Sequence, residues 1–222
     1  MHYWPSKAPR PWIGSYHSLV EPIELRDEQV TLSALTPADF PALIAWMNDP
    51  TIKRWMPFAS YPYTRQDAEW FLDNKVKPGW ASGKELTWAI RETSLGGALM
   101  PARGTVAIRT ERIPGYQPGE VGFALAPAAR GRGLATAALK LVLAYAFDPN
   151  GLNLETARWE CKSGNEASWR VAWRCGFQFG GVWPDDDNEH TPGNWYASLN
   201  RNQPLDVTKP WPAGAPILAE PQ

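Results

Sequence analysis

Residues 120–147 hold the passage that leaves the backbone least choice. Glu120-Val-Gly-Phe-Ala-Leu-Ala-Pro127 is apolar with one charged residue at its entry, the pattern of a buried strand. A basic turn follows, Ala128-Ala-Arg130-Gly131-Arg132-Gly133, and then an Ala/Leu-rich run from Leu134 with high helix propensity. The expected order is strand, glycine turn, helix. Gly131 and Gly133 lack side chains, so successive N–H groups can close around a ligand. The first N–H groups of a helix have no intrahelical partner, and its dipole favours an anion there. With Arg130 and Arg132 adding positive charge, the turn is a site for phosphate, above all a diphosphate.

Three readings of this turn compete. It could be a plain glycine turn with solvated arginines. A dinucleotide fingerprint needs Gly-x-Gly-x-x-Gly early in a βαβ unit, but Thr136 stands where the third glycine belongs and more than half the chain precedes the turn. The third reading is Arg-x-x-Gly-x-Ala, supplied by Arg130, Gly133 and Ala135. It resembles the acyl-CoA diphosphate signature of the GNAT superfamily of N-acetyltransferases, Gln/Arg-x-x-Gly-x-Gly/Ala.

Other elements follow from period and punctuation. Val30–Leu35 alternates as a half-buried strand does. Thr36 and Pro37 suit the N-cap and first position of a helix that Asn48-Asp-Pro ends. A second helix starts at Thr64, with Asp67 as a capping-box acid, and is expected to run to about Lys75. Strands are predicted over 86–91, 104–110 and 120–126, forming an antiparallel meander. A helix over 134–147, a strand over 155–161, a helix from 163 with Gly176 as its C′ residue, and strands over 177–183 and 194–200 complete a mixed α/β (α+β) sheet of about six to seven strands.

At 222 residues the chain reads as one domain over 25–202, preceded by a Pro- and aromatic-rich arm (1–24) and followed by a Pro-rich tail (203–222). A net charge of −1 argues against a nucleic-acid binder that works by bulk electrostatics. No apolar run approaches 18 residues and no apolar leader opens the chain, so a cytoplasmic protein with no membrane span is expected. Cys161 and Cys175 make no disulfide framework, no Cys/His spacing suits a metal, and both cysteines read as small buried hydrophobes. Thirteen Trp exceed what function calls for and point to core or interface packing.

Two further stretches extend the resemblance. Asn165-Glu-Ala-Ser168 with Gly176-Phe177 looks like the Asn-x-x-Ser…Gly-Phe signature of the RimJ/RimL-type branch, and Glu120-Val-Gly-Phe looks like that branch's Glu-Ile-Gly-Tyr strand. Together they cover roughly residues 25–200 in the order the family shows. The resemblance implies a GNAT fold with splayed central parallel strands, 120–126 and 155–161. It implies acetyl-CoA, or another acyl-CoA, as donor, with pantetheine amides on the backbone near Phe123 and Leu125. The diphosphate would lie on Arg130, Gly131, Arg132, Gly133, Leu134, Ala135 and Thr136. Asn165 would bind the pantetheine arm, and Ser168 would sit near the thiolate. Many members place a general-acid tyrosine seven residues after the asparagine; Ala172 stands there, which leaves Ser168 or water to assist the thiolate.

The chemistry needs a base for the attacking amine. Glu120, at the mouth of the wedge, is the candidate, against the plainer reading of an ion-pair partner. His190 and the acidic loop Asp185, Asp186, Asp187 and Glu189 are secondary candidates, for a base and for attracting a cationic acceptor, against a solvated loop. The expected partners are an acyl-CoA and an amine, either a peptide N-terminus or a small molecule, with no nucleic acid and no membrane. The aromatic arms and the habits of the family point to a homodimer. Three alternatives stay open: a larger donor such as succinyl-CoA, a non-catalytic acyl-CoA-binding protein, and an interaction module built on the aromatic arms.

Overall fold

A computed structural model describes residues 22–94, 99–111, 118–184 and 193–211. The strands are β1 (Leu25–Arg26), β2 (Val30–Ser33), β3 (Glu85–Glu92), β4 (Gly104–Arg109), β5 (Glu120–Leu125), β6 (Thr156–Lys162), β7 (Gln178–Trp183) and β8 (Asn194–Asn200). They form one sheet in the order β1-β2-β3-β4-β5-β6-β8-β7. All neighbours are antiparallel except β5 and β6, which are parallel. The meander β3–β4–β5 is as the sequence predicts. The eighth strand is β1, whose two residues are too few to give a period.

The helices are α1 (Phe40–Met47), α2 (Pro50–Trp55), α3 (Arg65–Phe71), α4 (Lys77–Ser82), α5 (Leu134–Phe147) and α6 (Glu166–Arg174). α5 lies across β2 to β6 on one face of the sheet, beside α6, and α4 packs on β3. Covered on both faces, β3 is buried from Leu86 to Arg91, whereas β4 alternates buried and half-buried residues.

α1 ends at Met47 with Asn48 as its C-cap, where Asn48-Asp-Pro is expected to end it, and Asp49 caps a further short helix, α2, accepting from the Thr51 N–H. One helical expectation needs correcting. The helix begun by the Thr64–Asp67 capping box does not end near Lys75. A π turn over Leu72–Val76 carries it into α4, which ends at Gly83 in the left-handed region. Proline lacks the N–H that an α-helix interior requires and clashes with the preceding turn. The wider π turn before Pro78 lets the helix pass it, so this proline is no stop signal.

The described part of the tail is docked. Trp211 packs on Trp169 and Trp173 with ring centroids 6.5 and 5.0 Å away, and the Trp173 indole donates to the Lys209 carbonyl. Gly176 is where this strap meets the end of α6. Its φ is +89°, and a Cβ there would lie 2.4 Å from the Pro204 carbonyl oxygen. Gly176→Ala is therefore expected to destabilise by about 2 kcal/mol, lowering Tm by roughly 4–8 °C in thermal denaturation. An unchanged Tm would mean that residues 203–211 are not seated on α6.

Candidate functional site

The site is built where β5 and β6 part. Register pairing between them stops at Glu120↔Arg158 and Val121↔Trp159, although β5 runs on to Leu125 and β6 to Lys162. Beyond Val121 the parallel strands diverge, which is the splay the sequence motif implies. Strand alternation fixes what lines it. The Ala126 N–H donates to Arg103 of the chain entering β4, so even-numbered residues of β5 turn their amides toward β4. The odd ones turn toward β6: the Gly119 carbonyl accepts from the Arg158 N–H at 2.9 Å. By that alternation the backbone groups of Phe123 and Leu125 face the gap.

The glycine turn closes one end of the gap. Gly131 and Gly133 have φ of +74° and +79°, values that side-chain-bearing residues rarely adopt. Gly133 is the N-cap of α5 and offers no side chain to the N–H groups of Leu134, Ala135 and Thr136. Those groups therefore point at the turn as donors for an anion. Above Gly131 a Cβ would meet nothing within 4 Å, so space for a ligand is open there.

The two arginines of the turn are held in place. Arg132 forms a two-pronged ion pair with Glu92, which also accepts from Arg103. The hydrogen bond from Arg132 holds the Glu92 carboxyl below its ordinary value, partial burial opposes it, and Arg103 adds to it. Arg130 donates to the Thr51 hydroxyl at 2.8 Å and approaches the Leu125 carbonyl at 3.4 Å, tying the start of α2 to the turn. Both cations stand over the turn, but each is partly committed to the protein.

Asn165 and Ser168 come together at the start of α6. Asn165 is the N-cap, its side-chain oxygen accepting from the Ser168 N–H at 3.2 Å. The Ser168 hydroxyl oxygen lies 3.1 Å from the Trp159 indole nitrogen, which donates to it. An indole can only donate, so the serine's own proton remains available to a second acceptor. Ala172 is fully buried, and no phenol reaches the site from that position.

Glu120 lies on the face of the sheet opposite α5, in a cross-strand row Glu85–Arg109–Glu120–Arg158 of alternating sign. The Arg109 guanidinium pairs with Glu120 at 3.0 Å and with Glu85 at 3.6 Å. The ion pair weighed for Glu120 is thus present, and it sits at the last rungs before the strands part. Two residues on, Gly122 is exposed on the same face, and a Cβ there would meet nothing within 4 Å. The surface beside this carboxylate is open.

Other candidates resolve more simply. Cys175 is fully buried and Cys161 half-buried; both are free, and desolvation pushes both thiols up in pKa, so neither is a ready nucleophile. Among the described residues no cluster could hold a metal ion, and no helix is long and apolar enough to cross a membrane. His190 and the acidic residues 185–189 lie outside the described residues.

A family model described as an acetyltransferase (GNAT) domain matches residues 29–178. No curated protein matches the sequence significantly. Among solved structures, the fold is similar to that of a candidate ribosomal-protein-serine acetyltransferase from Vibrio cholerae, with TM-score 0.65, 18% identity, and 81% of this chain and 99% of that one covered. It is also similar to the microcin C7 self-immunity acetyltransferase solved with acetyl-CoA and AMP, with TM-score 0.63, 18% identity and coverage of 78% and 93%. A spermidine N-acetyltransferase from Vibrio cholerae, solved with CoA and spermine, gives TM-score 0.59, 18% identity and coverage of 79% and 97%.

Proposed function

Because this chain belongs to the GNAT acetyltransferase family, we propose that it transfers an acetyl group from acetyl-CoA to a primary amine by direct attack of the amine on the thioester. The observation that carries the donor half is the pair of left-handed glycines opening α5 beside the gap between β5 and β6. Diphosphate would sit on the N–H groups of residues 131–136 under Arg130 and Arg132, and the pantetheine amides would pair with the backbone of Phe123 and Leu125. Asn165, at the cap of α6, would steady the arm.

The reaction asks for removal of one proton and delivery of another. Glu120 would take the amine's proton, directly or through a water over Gly122. Ser168, its oxygen engaged by the Trp159 indole, would direct its hydroxyl proton at the departing sulfur. The acceptor's own pKa sets how much help is needed. An α-amine with pKa about 7.7–8.0 is roughly a tenth neutral at pH 7, while a lysine side chain near 10.4 is under a thousandth neutral. A carboxylate paired with Arg109 suits the first better than the second.

The test is thiol release from acetyl-CoA, and in parallel from succinyl-CoA, across peptides with free N-termini, lysine derivatives, polyamines and small primary amines. We expect turnover with acetyl-CoA, faster on α-amines than on ε-amines. Calorimetric binding of acetyl-CoA with no turnover on any amine would instead mark a non-catalytic acyl-CoA-binding protein.

A further inference from the structure

Tryptophans run in file from the C-terminal strap to the candidate site. Trp211, in the strap, packs on Trp169 with ring centroids 6.5 Å apart. Trp169, on α6, packs on Trp159 of β6 at 5.5 Å. The Trp159 indole donates to the Ser168 hydroxyl oxygen at 3.1 Å. Trp159 also pairs in register with Val121, on the last rung before β5 and β6 part. The file therefore ends where the gap begins.

Trp159 and Trp169 are both buried, but their rings are held differently. Trp159 has the serine oxygen to fix it. The Trp169 N–H finds no hydrogen-bond partner among the described residues. A buried indole usually satisfies that donor, so this ring is oriented by packing alone. Its ring contacts are Trp159, Phe179 at 5.5 Å and Trp211. Trp159 and Phe179 belong to the sheet, whereas Trp211 is supplied by the strap. Trp211 is itself clamped, edge-on to Trp173 at 5.0 Å and with the Arg170 guanidinium 4.8 Å from its ring. A close-packed interior relaxes into a void left by a missing wall, which lets the Trp169 ring turn and the Trp159 ring follow it.

The direction of the serine hydroxyl depends on that ring. One lone pair of the oxygen is taken by the indole, and the place of the indole decides where the O–H can point. We propose that the strap is a positioning element of the transfer reaction: Trp211, acting through Trp169 and Trp159, aims the Ser168 hydroxyl at the departing sulfur. A segment outside the sheet and its helices thereby sets the geometry of proton delivery. The inference rests on the role proposed above for Ser168.

Kinetics of acetyl transfer, with calorimetric binding of acetyl-CoA on the same variants, test it. Trp211→Leu is expected to lower kcat about tenfold, within the roughly 10²-fold that a misplacement of about 1 Å can cost. Its dissociation constant for acetyl-CoA should stay within about twofold of the unaltered protein's. Trp211→Phe, which keeps a ring against Trp169, should restore most of kcat. In a Ser168→Ala background, itself slowed, Trp211→Leu should cost nothing further, because no hydroxyl remains to be aimed. Thr64→Ala, which removes the cap of α3, should lower Tm by about 2–4 °C without lowering kcat, separating lost stability from lost aim. An unchanged kcat in Trp211→Leu overturns the inference and leaves the role of Ser168 standing. So does a tenfold loss that persists in the Ser168→Ala background, or a loss of acetyl-CoA affinity as large as the loss of kcat, since the strap would then hold α6 as a whole. Ser168→Ala with kcat within about twofold removes the serine from the chemistry, and this inference with it.

Discussion

Arg91→Met should cost the fold about 3–5 kcal/mol and lower Tm by roughly 6–20 °C, the largest stability loss expected from a single polar residue here. Arg91 is 2% exposed and faces Asp39, the residue that precedes α1. All five of its N–H donors are used. Nε goes to Ser33, one terminal nitrogen to Asp39 and the Met100 carbonyl, the other to Asp39 and the Ala34 carbonyl. Removing the guanidinium strands the Asp39 carboxylate, 4% exposed, among apolar neighbours. Removing both charges is a different matter, because two apolar residues of similar volume leave nothing unpaired. Asp39→Leu with Arg91→Met is therefore expected to recover much of the loss, and a urea-denaturation cycle over the four proteins measures the coupling.

The same pair gives the fold an acid limit. Burial pushes the Asp39 carboxyl up, but hydrogen bonds from Arg91 and Thr36 and the charge of Arg91 together hold it below its usual value. A carboxyl with a depressed folded pKa contributes stability that is present above its unfolded pKa and lost as pH falls through the folded one. Stability should hold above about pH 4 and fall away below it. Asp39→Asn should flatten that acid limb.

What the sequence made legible follows from the range of each interaction. The glycine turn and α5 could be read because the chemistry is local: two glycines, two arginines and a helix-forming run within about twenty residues. The Gly176 stop could be read for the same reason, whereas the helix expected from 163 starts only at Glu166, with Asn165 as its cap. Longer-range pairings left no trace in local pattern. Glu92 and Arg132 are forty residues apart in sequence, so nothing marked Arg132 as partly neutralised before a ligand arrives. Arg91 closes the strand expected over 86–91, and nothing local marks its buried partner Asp39, 52 residues away in sequence. The splay itself is a missing set of strand pairs, which only the family resemblance anticipated. The π turn over Leu72–Val76, which carries the helix past Lys75 into α4, likewise had no local signature.

Glu120→Gln is expected to lower kcat by about 10²–10⁴, the range for loss of a positioned general base. The dissociation constant of acetyl-CoA should stay within about twofold, because the donor contacts proposed above involve residues further along β5 and in the glycine turn. The substitution keeps the side chain's size and can keep a hydrogen bond to Arg109, whose pairing with Glu120 is partly solvated. Stability should therefore change by no more than about 1 kcal/mol. This separates two roles that the ion pair alone leaves mixed. If Glu120 only anchors Arg109 in the row from Glu85 to Arg158, kcat is untouched and any change appears in Tm. If it takes the amine's proton, kcat collapses while Tm and donor affinity hold. Under the reading proposed above the second outcome is expected: the carboxylate stands one rung before β5 and β6 part, with the open Gly122 surface two residues on. Steady-state kinetics with calorimetric binding of acetyl-CoA on the same variant decides between them, and a kcat within about threefold of the unaltered protein would remove Glu120 from the chemistry.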